Sequence, residues 1–431
     1  MNLPEALRYL DSHINLEASA GAIHGLSLDQ MQSLVQVLGD PQTAFKVIHV
    51  TGTNGKGSTA RMITALLVEH GLSVGTYSSP HLQKINERIS WNGDPIDDEQ
   101  LASVITELAR VAPLSGVTPS YFELLTAAAL QWFAEIAVDV AVIEVGLLGR
   151  YDATNVVDAD VAVVTNIGQD HTDGVGDWKV AIASEKAGII KPDSFLVLGE
   201  TDTSLHPVFA AEGPRGTWTR GIDFDVVADQ PALGGHLMDF RTPLGTLEDV
   251  YLPLHGEHQA ENAVMAIAAV EAFFDRPIEI DIVQAALAGV TMPGRFEVMA
   301  YGPLVVIDGA HNPEGARAAL ATLENEFDVA GRRVLVIGML SGRDPVQMLE
   351  ELGARQADLL IACTPASPRA MSGADLAAIG RAMGVMTEQI DDVATAVQRA
   401  LDVSTEEDVV LIAGSLYVAG AARTALESPR G

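Results

Sequence analysis

His49-Val50-Thr51-Gly52-Thr53-Asn54-Gly55-Lys56-Gly57-Ser58-Thr59 is the stretch on which the reading of this chain turns. The short β-branched run Val47–Val50 before it predicts a strand. The apolar spacing after it predicts a helix from about Ser58 to His70. Glycines between strand and helix let the backbone curl so that several N–H groups face one anion, and the positive end of the helix points to the same place. Lys56 can neutralise phosphate oxygens, and the Ser58 hydroxyl can ligate Mg²⁺. The match to the standard phosphate loop is incomplete: Val50 stands where that pattern has glycine, and Gly57 separates the lysine from the serine. A ligand-free glycine turn is the plain alternative. In a strand–turn–helix context, a nucleoside triphosphate is the expected ligand.

Working outward, the same rhythm continues. Ser73–Tyr77, Val138–Val145, Asp160–Thr165 and Phe195–Leu198 read as strands. Leu101–Val111, Phe122–Ile136 and Ala181–Ile190 read as helices, so parallel βαβ units are expected. The texture changes over residues 201–255. Short alternating pieces (Trp218–Gly221, Phe224–Ala228, His236–Thr242) predict a small antiparallel sheet there. Helical spacing returns at Gln259–Phe274 and Ile282–Ala288. Pro293 and Gly294 make Thr291–Phe296 the expected hinge. Beyond it a second strand–helix alternation begins at Leu304–Ile307 and runs to the helix at 415–426. The fold class is therefore α/β. A P-loop-type parallel-sheet ATPase domain with an accessory β-sheet is expected over 1–292, and a C-terminal Rossmann-like α/β domain over 293–431.

Composition narrows the partners. The 431 residues carry 58 acidic and 26 basic side chains, a net charge of −32. Coating nucleic acid needs a basic surface, and docking on anionic lipid needs the same. No nucleic-acid or membrane partner is expected. The N-terminal stretch lacks a basic leader followed by an apolar core, and Leu3, Ala6, Leu7 and Leu10 read as an amphipathic helix. A lone Cys363 forms no intrachain disulfide, which fits a reducing cytoplasmic setting. The chain has only six lysines, and one of them, Lys56, falls in the expected phosphate loop. Scarce positive charge is thus expected in a cleft and acidity on the exterior.

Gly52-Thr53-Asn54-Gly55-Lys56-Gly57-Ser58 resembles the ATP loop of the Mur ligase superfamily. Further segments narrow the resemblance: Tyr77-Ser78-Ser79-Pro80-His81-Leu82, Tyr121-Phe122-Glu123, Glu144-Val145-Gly146, Gly149 to Asn155, Asp170-His171-Thr172-Asp173, Glu185 to Ile189, Pro293 to Glu297, and Asp308-Gly309-Ala310-His311-Asn312-Pro313. Together and in order, they resemble the bacterial folylpolyglutamate synthase/dihydrofolate synthase family. The resemblance implies an ATP- and Mg²⁺-dependent ligase that adds L-glutamate to dihydropteroate, to reduced folates, or to both. An acyl phosphate forms first, and ADP and phosphate are released.

The resemblance also implies roles for single residues. Thr53, Asn54, Gly55, Lys56, Gly57 and Ser58 would hold nucleotide. Asn262, Arg295 and Asp308 would supply the rest of that site from across the hinge. Asp308 has a plainer reading, as a cap of the following helix. Ser58, Glu144, His171 and a carbamylated Lys186 would hold metal. Glu144 also earns this reading from its own position, because a carboxylate ending a parallel strand sits where such sheets bind ligands. Lys56, Lys186 and His311 would serve the reaction. Phe122 and Asp152 would take the pterin, a ring covering its flat face and a carboxylate accepting its N–H groups. Ser79 and His81 would shape the substrate site. Ser415 would contact glutamate, although a serine starting a helix is ordinarily a cap. The family shows glycine where this chain has Leu148, which stiffens the loop.

Two other functions compete. A different superfamily ligase is disfavoured by the Ser-Pro-His and Asp-Ala-Thr-Asn segments. The 46 residues before Val47 also leave no expected room for an extra nucleotide-sugar domain. A non-catalytic ATP-binding regulator would not need the metal ligands together with the distal contacts. A monomer is expected.

Overall fold

Lys46–Thr51 forms strand β1 and is buried from its second residue onward. An apolar run of this kind suits a strand covered on both faces. The computed structural model describes residues 1–15, 27–169 and 176–428. The chain packs as two compact units. The first extends to Pro253 and resumes over His258–Val290; the second takes Leu254–Glu257 and the chain from Thr291 onward.

In the first unit, seven strands join β1: β2 (Val74–Tyr77), β3 (Ile89–Trp91), β4 (Asp94–Pro95), β5 (Val140–Glu144), β6 (Val161–Val164), β7 (Phe195–Leu198) and β8 (Gly216–Thr219). Their order is β4-β3-β2-β5-β1-β6-β7-β8, parallel from β2 to β8 and antiparallel at the β3–β4 edge. β5 flanks β1 on one side and β6 on the other. The loops leaving their C-terminal ends therefore lie side by side, in the crevice where open α/β sheets take ligands. The helix Lys56–Glu69 follows the first of these loops. The helix Tyr121–Glu135 starts at a reciprocal cap, in which Ser120 Oγ accepts the Glu123 N–H (3.3 Å) and the Glu123 carboxylate accepts that of Ser120 (2.7 Å). That cap places Phe122 on the first turn.

Three strands form the expected antiparallel insertion: β9 (Asp225–Ala232), β10 (Gly235–Thr242) and β11 (Gly245–Leu252). One piece of the sequence reading is corrected. Trp218 does not join that small sheet but lies in β8, parallel to β7. The Trp218 ring meets Phe195 of β7 edge-on at 4.6 Å, an aromatic cross-strand pair that holds β8 at the large sheet.

The second unit has its own sheet. It contains β12 (Glu297–Ala300), β13 (Leu304–Ile307), β14 (Arg333–Ile337), β15 (Leu359–Ala362), β16 (Thr387–Gln389) and β17 (Val409–Ala413), in the order β12-β13-β17-β14-β15-β16. All neighbours are parallel except β12 with β13. β12 and β16 are short, partly exposed edge strands, and neither is a buried run. Among the described residues, no helix is long and apolar enough to cross a membrane.

Candidate active site

The loop after β1 is shaped by contacts that only glycine permits. Gly52 has φ +150°, and a Cβ there would lie 1.7 Å from Thr165 Oγ1. Gly55 has φ +81°, and its Cβ would lie 2.3 Å from Asn262 Oδ1. The loop after β6 clamps the other side. Thr165 Oγ1 donates to the Asn54 carbonyl (2.6 Å), Asn54 N–H donates to Asn166 Oδ1 (2.9 Å), and Gly168 N–H donates to Thr53 Oγ1 (2.9 Å). The helix Lys56–Glu69 starts at Gly55 with no side-chain cap. Among the described residues no side chain takes its first amides, and they carry the positive end of the helix dipole.

Two ammonium groups converge here. Lys56 Nζ donates to the carbonyls of Gly52 (3.0 Å) and Thr53 (3.2 Å). Lys186 Nζ donates to the same Gly52 oxygen at 2.6 Å. Lys186 is buried, not on the exposed face that its helix would suggest by itself. Glu144 ends β5 and is 4% exposed. Its carboxylate faces the helix start, since a Cβ on Gly57 would be 3.4 Å from Oε2. Ser79 N–H donates to that same oxygen at 3.2 Å. Ser58 is buried in the first turn. A hydroxyl and a carboxylate beside a phosphate loop are the hard oxygen donors Mg²⁺ prefers, with phosphate oxygens and water completing its shell. His171 lies outside the described residues.

Asn262 requires a correction. It comes not from across the hinge but from the first unit. Its Oδ1 stands against Gly55 and accepts from Thr59 Oγ1 at 3.4 Å, while its Nδ2 donates to Gln259 Oε1 at 3.0 Å. Burial of its helix, apolar over most of Ala260–Ala272, brings this face to the loop.

A second cluster lies along the β5 loop. A Cβ on Gly146 would be 2.4 Å from the Phe122 ring, so that ring rests on the loop backbone. Tyr77 lies 5.9 Å away, its ring tilted 41°. Asp152 is buried, and its Oδ2 accepts from Leu147 N–H at 2.8 Å. Burial pushes its carboxyl above the ordinary range, and donors from Thr154, Leu147 and Gly146 oppose that. Phe122, from its helix, and Asp152 thus both bear on the Gly146–Leu147 backbone of one short loop. Leu148, in the same loop, adopts φ +58°, and Thr51 Oγ1 donates to its carbonyl at 2.6 Å. His81 Nδ1 accepts from the buried Arg88 at 2.9 Å, which leaves Nε2 to carry the ring's proton.

The second unit gathers its own candidates. The Asp308 carboxylate accepts from Phe296 N–H and Ala310 N–H, each at 2.7 Å. Burial raises its pKa, while the charge of Arg295 and those amides hold it back. A Cβ on Gly309 would be 3.0 Å from Arg295 Nη1, so the guanidinium lies along this turn. Asp308 does not cap the following helix; Asn312 does, accepting from Gly315 N–H at 2.8 Å. The carboxylate reaches back to the β12 side, so it has no reach left for the helix. His311 Nδ1 pairs with the Gly309 carbonyl at 2.9 Å. Ser415 Oγ caps its helix by accepting from Val418 N–H.

Sequence reasoning missed Thr165, Asn166 and His49. The first two follow a strand end, the position where ligand loops begin. His49 gave no signal, because one histidine in an apolar strand reads as core.

Known proteins share this arrangement. Residues 50–270 match the model of the Mur ligase middle domain, and 294–416 that of the Mur ligase glutamate ligase domain. A dihydrofolate synthase/folylpolyglutamate synthase of Mycobacterium tuberculosis is 40% identical, over 92% of this chain and 89% of that one. A solved Mycobacterium tuberculosis folylpolyglutamate synthase with ADP superposes with a TM-score of 0.92 at 37% identity, covering 100% of this chain and 99% of that one. A bifunctional folylpolyglutamate synthase/dihydrofolate synthase structure with Mn, AMPPNP and L-glutamate gives 0.86 at 30% identity, over 99% and 98%. This chain belongs to the folylpolyglutamate synthase/dihydrofolate synthase family of Mur ligases.

Proposed function

We propose that the chain joins L-glutamate to dihydropteroate, to reduced folates, or to both, at the cost of one ATP. The observation that carries this is the uncapped helix start with Lys56 and Lys186 on one side and Glu144 on the other. A carboxylate is a poor electrophile; phosphorylation gives it a leaving group. The substrate carboxylate attacks the γ-phosphate, ADP departs, and the glutamate amine then displaces phosphate to form the amide.

The residues divide the work by position. The amides of the Gly52–Ser58 loop and Lys56 hold the phosphates. Charge that develops on the transferring group is offset by Lys56 and, in our reading, by Arg295. Thr53, Asn54, Gly55, Gly57 and Asn262 keep the loop in register, and Asp308 takes the nucleotide. Ser58, Glu144 and His171 would hold Mg²⁺, which supplies Lewis acidity and a template when bound. Two ammonium groups on one carbonyl oxygen repel each other, and a carbamate on Lys186 would replace that repulsion with a further oxygen ligand. Phe122 and Asp152 receive the pterin, Ser79 and His81 border it, and His311 stands near the reacting carbon. Ser415 Oγ accepts the cap amide and keeps its O–H to donate to the glutamate carboxylate.

The test is direct. Purified protein is incubated with Mg-ATP, glutamate and either dihydropteroate or tetrahydrofolate, and the products are weighed. A mass gain of one glutamyl unit is expected with at least one acceptor. No gain with either, under conditions where ATP binds, sinks the proposal. For Lys186, full activity of Lys186→Ala without added short carboxylates removes its metal role.

A further inference from the structure

We infer that His49 is a positioning residue for Asp152, acting through the Thr154 hydroxyl; this rests on the folate reading above. His49 lies in the middle of β1 and is completely buried. A neutral imidazole has one donor and one acceptor nitrogen. Its Nε2 stands 2.9 Å from Thr154 Oγ1. Among the described residues, its Nδ1 has no partner. Thr154 in turn serves Asp152 twice, with its N–H at 3.0 Å and its hydroxyl at 2.5 Å from Oδ1.

The proton directions follow from counting. An ionised carboxylate only accepts, and a hydroxyl has a single proton to give. The Thr154 proton therefore goes to Asp152, and its oxygen must accept from His49. That fixes His49 as the Nε2–H tautomer and explains the bare Nδ1. Protonating Nδ1 would put an unpaired N–H and a charge in the core, near Lys191. Burial, and then Lys191, hold the imidazole pKa down to about 3. His49 is a permanent neutral donor rather than a proton carrier.

This chain gives the histidine a purpose beyond filling space. An apolar residue would fill the strand interior without leaving a lone pair unmatched, so packing alone does not call for histidine. What only a donor supplies is direction. With His49 in place, the Thr154 hydroxyl stays turned toward Oδ1, and Leu147 N–H holds Oδ2. The carboxylate is then oriented and kept as an acceptor despite its burial. An acceptor is what the N–H groups of a pterin require, and the Phe122 ring rests on the same loop at Gly146.

The test uses three variants of the full chain: His49→Leu, His49→Gln and Thr154→Val. Gln carries an amide N–H near the position of Nε2; Leu and Val keep volume without a donor or relay. We expect His49→Leu and Thr154→Val to weaken dihydropteroate about tenfold, the effect of a lost hydrogen bond to a charged group. This is read both as KM and as equilibrium fluorescence binding without ATP. The ATP and glutamate KM values should stay within about twofold, and His49→Gln should recover most of the dihydropteroate affinity. Unchanged dihydropteroate binding in Thr154→Val overturns the inference, even if His49→Leu fails to fold. Equal losses in His49→Gln and His49→Leu, or parallel rises in the ATP and dihydropteroate KM, overturn it as well, since shape alone would then explain the residue. If the wild type binds neither dihydropteroate nor tetrahydrofolate, the folate reading itself falls. If the wild type binds and His49→Leu binds equally, only the inference does.

Discussion

The turn after β1 and the turn after β13 follow the same local grammar, strand then glycine-containing turn then helix, yet they end in opposite states. At the first, the helix begins with Gly55 and, among the described residues, no side chain takes its amides. At the second, Asn312 caps the helix, Pro313 occupies its first position, and Asp308 spends its carboxylate on the Ala310 amide of the turn and the Phe296 amide before β12. An uncapped start leaves donors and dipole for an outside anion. A self-capped start offers a rigid platform for side chains instead. The difference shows that a helix N-terminus becomes an anion site through what is withheld from it.

That contrast can be broken at four points. Lys56→Ala should cost about a thousandfold or more in turnover, on the scale of removing a charge-stabilising donor, while the melting temperature barely moves. Initial rates of ADP formation with thermal melts check this. Wild-type rates would mean that the open turn is not the phosphate site. Gly52→Ala comes next, because a Cβ would collide with Thr165 and the residue would sit at φ +150°. Strain and overpacking should destabilise the protein by about 2–4 kcal/mol in denaturant titrations and abolish ATP binding. Asn312→Ala should cost only about 1 kcal/mol, the usual loss of a cap, and leave the ATP KM near its original value. A large rise in that KM would show that the Asn312 cap, and not Asp308 alone, serves the nucleotide. The smallest effect is expected at Leu148→Gly. Relief of a left-handed backbone of about 1 kcal/mol nearly cancels the added freedom of the unfolded chain. A melt within about 0.5 kcal/mol of the wild type agrees with that; a larger loss would mean the Leu148 side chain holds the loop by packing.

Much of the architecture was legible because it is written in short-range periodicity. The alternation of buried strands and helices is visible around β1, β5, β6 and β13, where apolar runs are continuous. It fails at β12 and β16, short edge strands that are only partly buried. It also fails at Trp218, whose sheet is chosen by Phe195 rather than by its own neighbours. Among site residues, Lys56 and Ser58 announce themselves by spacing, and Glu144 by ending a buried strand. Lys186 does not, because an isolated lysine on a helix gives no sign that it will be drawn inside.

The sequence by itself determined the class of ligand and the grammar of both turns. Backbone curvature at Gly52 and Gly55 and the charge of Lys56 are local properties, set within a few bonds. Only the tertiary structure decided which partners met. It put Asn262 against Gly55 from more than two hundred residues away, brought Lys186 to the Gly52 carbonyl, and set His49, Thr154 and Asp152 in one hydrogen-bonded row. Those contacts depend on strand order and helix packing. A hydrogen bond is decided within tenths of an ångström, a precision that spacing along the chain does not carry.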